Sequence, residues 1–134
     1  MTYSKYEQYK FQLRGDHFFT LDLDFPKVDF EWASIDGDTL FIKDGYAWDG
    51  ASGPCFNTKN SLTGSLVHDA LYQLMRKGLL DRSFRKMVDW QFYKILRKNG
   101  MNVLRARTWY TCVRLFGKKS ATDVQGRDVI LSTD

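Results

Sequence analysis

Two groups of residues in this chain have the types and spacing to do chemistry. The first is His68-Asp69-x-x-Tyr72, joined 21 positions after His68 by Asp89. The second is Trp48-Asp49-Gly50-Ala51-Ser52-Gly53-Pro54, a glycine-rich run ahead of it. An imidazole exchanges protons near neutral pH. A carboxylate on one ring nitrogen fixes the tautomer and makes the other nitrogen a better base. On a helix, His68 and Tyr72 stack one turn apart, whereas Asp69 is rotated by about 100°. Asp69 is therefore turned to a different subsite and could bind a hard cation. Backbone carbonyls of a glycine-rich loop, together with Asp49, would add the oxygens that calcium takes in numbers of six to eight.

Helices must position these groups. Leu66, Ala70 and Leu74 interleave with Val67, Leu71 and Met75 at the spacing of a buried helical face. The first helix is expected from Thr63 or Ser65 to Lys77, stopped by Gly78. A second is expected after the N-cap Asp81, running to Lys98, with Phe84, Val88, Phe92, Ile95 and Leu96 inward. Only Gly78, Leu79 and Leu80 separate the first helix from that cap, so the two must pack antiparallel. His68 lies about ten residues before the turn and Asp89 about ten after it, which sets them at similar height along the hairpin. Tyr72 can reach the same carboxylate. A third helix is expected over Asn102–Leu115, with Val103, Ala106, Tyr110 and Val113 inward and Arg105, Arg107 and Arg114 outward.

The N-terminal third alternates polar and apolar residues. Strands are expected over 7–13, 17–23, 28–34 and 39–42, with turns at Arg14-Gly15-Asp16 and Asp36-Gly37-Asp38. Residues 44–64 lose all periodicity and hold four glycines and a proline, the mark of a long functional loop. The organisation is then α+β and one domain: an antiparallel meander over 1–43, a loop over 44–64, helices over 65–116, and a polar tail over 117–134. Within that tail, Val129-Ile130-Leu131 could add a short strand.

Composition narrows the function classes. The chain has 134 residues, 43% hydrophobic and 16% aromatic, enough for an ordered core. Its net charge of +4 is modest: it suits an anionic membrane surface or nucleic acid, is also common in ordinary domains, and does not decide between them; nucleic acid is not the expected partner. The basic, aromatic third helix could meet lipid headgroups or nucleic acid, but a solvated basic face on a packed helix is the plainer reading. No apolar run is long enough to span a membrane, no signal peptide is read at the N-terminus, and a cytoplasmic address is expected. Cys55 and Cys112 are too few for a disulfide framework and are expected reduced. Two histidines, His17 and His68, are too few for a zinc phosphohydrolase, and His17 reads as a strand residue. Ser52 has no strand-turn-helix frame that would make it a nucleophile. Arg14-Gly15-Asp16 reads as a turn, not an adhesion motif. The plain alternative for His68 and Asp89 is a structural polar network.

The combination Trp48-Asp49-Gly50-Ala51-Ser52, His68-Asp69-x-x-Tyr72 and Asp89 resembles phospholipase A2, its bacterial and fungal branch above all, over residues 45–96. More of the chain, with Tyr110-x-x-Val113-Arg114-x-Phe116-Gly117 added, resembles a phage and prophage family known as domain of unknown function 1353. The first likeness implies a calcium-assisted phospholipid ester hydrolase. His68 would be the base, Asp89 and Tyr72 would orient it, and Asp69 would hold calcium with oxygens of Asp49, Trp48 and Gly50. The second implies a phage protein, acting in the host cytoplasm or on the virion. The alternative is a non-catalytic accessory or virion protein that binds a host or phage partner.

Overall fold

A computed structural model describes residues 2–4, 11–48, 61–118 and 121. The chain divides into two compact units, Met1–Asp49 with Val124–Asp134, and Gly50–Asp123. The fold is α+β, as the patterning implies.

The first unit is built from antiparallel strands in two three-stranded sheets. One contains β1 (Thr2–Ser4), β2 (Phe11–Arg14) and β6 (Ala47–Trp48), in the order β1-β2-β6. The other contains β3 (His17–Thr20), β4 (Ala33–Asp36) and β5 (Thr39–Ile42), in the order β3-β5-β4. Period-two alternation explains the second sheet: Ala33, Ile35, Leu40 and Ile42 are buried, while Asp36 faces solvent. Ile35 pairs with Leu40, Asp36 with Thr39, and Gly37-Asp38 make the two-residue turn. Gly37 has φ of 65° at the first turn position, where a side chain would be strained.

Three expectations change here. Arg14-Gly15-Asp16 does not close a hairpin, because β2 and β3 belong to different sheets. Gly15 N–H donates to Asp44 Oδ1 (2.6 Å) and Asp44 N–H donates to Asp16 Oδ1 (2.8 Å), so this turn is tied to a second one far along the chain. The strand expected over 28–34 shifts to Ala33–Asp36 and leaves Val28 as an isolated bridge to Ile35. A strand falls inside the loop expected from 44. Ala47 and Trp48 pair with β2, and Tyr46, Ala47 and Trp48 are buried, so three apolar residues supply the burial that flanking glycines obscure. Residues 49–60, including Asp49, Gly50 and Cys55, lie outside the described residues, as do 129–131.

The second unit holds α1 (Leu62–Arg76), a single 3₁₀ turn (Arg82–Phe84), α2 (Arg85–Lys98) and α3 (Val103–Phe116). Asp81 accepts from Ser83 N–H at 2.8 Å and caps the 3₁₀ turn that leads into α2. Asn102 caps α3 by accepting from Arg105 N–H at 2.9 Å. Both α1 and α2 stop in the same way. Gly78 and Gly100 take φ of 74° and 98°, and the N–H groups of Leu79 and Met101 reach back to Leu74 O and Leu96 O.

Helices α1 and α2 pack as an antiparallel hairpin. A Cβ on Gly64, near the start of α1, would lie 3.1 Å from Leu96 and 3.2 Å from Phe92, near the end of α2. Phe92, Leu96, Met101, Ala106 and Trp109 then form a cluster between α2 and α3. The inward face of α3 is thus Ala106 and Trp109, and Val103, expected inside, is exposed. The indole is the larger apolar surface, and it takes the buried side.

Candidate functional site

Three helices converge on one carboxylate. Asp89 sits one residue after Val88 on the buried side of α2, and its side chain is 0% exposed. From α1, His68 Nε2 lies 2.7 Å from Asp89 Oδ1, and Tyr72 O–H donates to that same oxygen at 2.6 Å. From α3, Arg114 Nη1 donates to Asp89 Oδ2 at 2.7 Å. Arg85, one turn before Asp89 on α2, brings Nε to 4.0 Å from Oδ2. The same Nε donates to Tyr72 Oη at 3.1 Å, while Nη2 donates to Val113 O and Arg114 O, each at 2.8 Å. Those carbonyls belong to the last turn of α3, and Val113 O also accepts from Gly117 N–H at 2.9 Å.

The electrostatics follow from that crowd. Burial alone would push the Asp89 carboxyl up, but the hydrogen bond and charge of His68, then the bonds from Tyr72 and Arg114, outweigh it and hold it below the ordinary range. Asp89 is therefore a carboxylate and accepts from His68, Tyr72 and Arg114. Burial, with the Asp89 anion beside it, pushes the Tyr72 hydroxyl well up, so Tyr72 stays a neutral donor. Because an ionised carboxylate only accepts, His68 Nε2 carries the proton it shares with Oδ1. In the neutral ring, the lone pair then lies on Nδ1. The ring is clamped against Tyr72 and Phe92, with centroids at 4.0 and 4.8 Å, and the His68 side chain keeps 12% of its surface in contact with solvent. The arrangement can thus orient a histidine, hold its tautomer, and stabilise the positive ring that a proton transfer would leave.

His68, Tyr72 and Asp89 are brought together as their spacing anticipates. Arg114 is not: read as outward, it turns in against Asp89. Arg85 was missed altogether, and Gly117 stood only as the end of a motif with no role. A Cβ on Gly117 would collide with Val113 O and lie 2.7 Å from Tyr72 Oη, so only glycine lets α3 end against the phenol. A signal for all three existed in Val113-Arg114-x-Phe116-Gly117. It carries the carbonyls that Arg85 takes, the cation that Asp89 takes, and the glycine against Tyr72.

The cation candidates are described only in part. Asp69 is half-buried on α1. Trp48 lies in β6 of the first unit with its side chain fully buried, and Asp49 and Gly50 are outside the described residues. Among the described residues no three His, Cys, Asp or Glu side chains group to hold a metal. No helix among them is long and apolar enough to cross a membrane.

Compared with protein-family models, curated proteins and solved structures, the chain has no match in any of the three. The site is read from its own geometry.

Proposed function

We propose that the second unit carries a His-Asp general-base site for the hydrolysis of carboxylic esters, with phospholipid as the substrate class. The observation that carries this reading is the 2.7 Å contact of His68 Nε2 with a fully buried carboxylate, which commits one ring nitrogen and leaves the other for water. In this reading His68 Nδ1 takes a proton from water as its oxygen attacks the ester carbonyl. The ester C–O bond then breaks, and the same proton passes to the leaving alkoxide. The products are a carboxylic acid and an alcohol. Asp89 stabilises the positively charged ring in between, and Tyr72 and Arg114 keep Asp89 in place. Calcium enters the proposal through the sequence pattern, with Asp69 as its described carboxylate and Asp49 and Gly50 as further candidates.

A second reading has its own support. Asp89 is held by two arginines as well as by His68 and Tyr72, which suits a clamp that joins three helices in a non-catalytic phage accessory or virion protein.

His68→Gln separates the two. It removes the base and keeps a polar side chain of similar size. On the hydrolase reading it abolishes fatty-acid release from phospholipid vesicles supplied with calcium, with little change in melting temperature. Wild-type protein that releases no fatty acid from phospholipid or lysophospholipid under those conditions would sink the hydrolase and leave the clamp. Calorimetric titration of calcium into wild type and Asp69→Asn tests the cation, which the variant should bind more weakly.

A further inference from the structure

On the far side of the Asp89 network lies a half-open cavity of about 330 Å³, lined by Arg82, Ser83, Arg85, Lys86, Arg114, Lys118 and Ala121. Seven described residues line it; among them five are cationic and none is acidic. They come from the 3₁₀ turn, the first turn of α2, and the end of α3 and just beyond it. Like charges gathered in one concavity repel one another. Such a gathering is at its most stable with an anion among them.

Bonds at the back of the cavity hold its guanidinium groups in place. Arg85 is fixed by Tyr72 Oη and the two α3 carbonyls, Arg114 by Asp89, and Arg82 Nε donates to Ala121 O at 3.4 Å. Each fork keeps N–H groups beyond those bonds, since a guanidinium has five. Fixed forks with donors to spare suit a tetrahedral oxyanion, whose several oxygens accept from different directions. The volume suits one such group with a small substituent. It does not suit a polynucleotide, which needs its cations spread along a track.

We propose that this cavity binds a phosphate group, free or as a small ester, and that its occupancy is coupled to the His68–Asp89 pair. The coupling arises because Arg114 and Arg85 serve both sites. An anion in the cavity competes with Asp89 for the Arg114 guanidinium and with Tyr72 for Arg85. Any loosening of those bonds changes what His68 shares its proton with. None of this depends on the ester-hydrolase reading, because it is tested by binding and not by turnover.

The test is calorimetric titration of the full chain with inorganic phosphate and, separately, with glycerol 3-phosphate at low ionic strength, with the His68 ring proton signals followed by NMR. One-to-one binding is expected, weakened by added salt. Arg82 and Lys86 are exposed, so the double variant Arg82→Glu/Lys86→Glu should keep its melting temperature and weaken binding by about tenfold or more. Arg82→Gln/Lys86→Gln, the milder pair, serves if charge reversal disturbs folding. Tighter binding of glycerol 3-phosphate identifies the ester as the ligand, and equal or tighter binding of inorganic phosphate identifies the free ion. Absence of binding at about 10 mM of either ligand, or unchanged affinity in both double variants, overturns the site. A His68 ring signal that stays still at saturation overturns the coupling.

Discussion

The two units use aspartate in opposite ways. In the first, Asp16 and Asp44 lie at the surface and each accepts one backbone N–H, tying the turn at Gly15 to the one at Asp44. Water competes for both carboxylates, so each contact contributes little, and losing one leaves an oxygen that solvent can satisfy. In the second unit, Asp89 is sealed from solvent and accepts from His68, Tyr72 and Arg114. No solvent is at hand to replace a missing partner. Burial, more than the number of bonds, separates a local tie from a keystone.

The sharpest way to break that contrast is Asp89→Ala. Removing the anion takes the shared acceptor from the largely buried His68 and Arg85 and from the partly exposed Arg114, and should cost about 3 kcal/mol. Denaturant titration gives the number; a loss under about 1 kcal/mol would mean that the network is ornamental. Acid sharpens the same point. The folded Asp89 carboxyl titrates below its ordinary 3.8, so the unfolded chain takes up that proton first as pH falls. The contribution is complete above 3.8 and is lost as pH drops through the lower folded value. Asp89→Asn should therefore unfold along a shallower acid profile than wild type.

Gly117→Ala comes next. The added methyl meets Val113 O and the Tyr72 hydroxyl, and should cost about 1–3 kcal/mol while leaving every charge in place. The smallest effect belongs to the exposed unit. Asp44→Ala removes the acceptor for Gly15 N–H and should cost about 0.5–1 kcal/mol by the same denaturant measurement. If Asp44→Ala proved as damaging as Asp89→Ala, the comparison between the units would fail.

Legibility in the sequence divides along physical lines. Helical periods, Gly78 as a stop, and Asp81 as a cap are local signals, so three helices could be read close to their observed bounds. The match of His68 to Asp89 was also legible, because a short turn fixes the register of an antiparallel hairpin. Arg114 was not. Its rotation about α3 follows from Trp109, and not Val103, taking the buried side, and that choice is made by packing against Phe92. The strands were less legible for a similar reason. Pairing of Phe11 with Trp48 joins residues 37 positions apart, and nothing local in Tyr46-Ala47-Trp48 distinguishes a strand from a loop with apolar residues.

Arg85 reaches across from α2 to the last carbonyls of α3, and this has a consequence for how the second unit assembles. A hairpin of α1 and α2 alone would bury the Asp89 charge with His68 and Tyr72 but without the α3 cation. Its own Arg85 would lack the two carbonyls that take its Nη2. Such a half-built hairpin is a poor resting point, because the charge is desolvated before it is matched. Docking of α3 and closure of the hairpin should then occur together, with no long-lived two-helix intermediate. The slowest-exchanging backbone amides of α1 should share one opening free energy with those of α3, although the two helices are separated in the chain by all of α2.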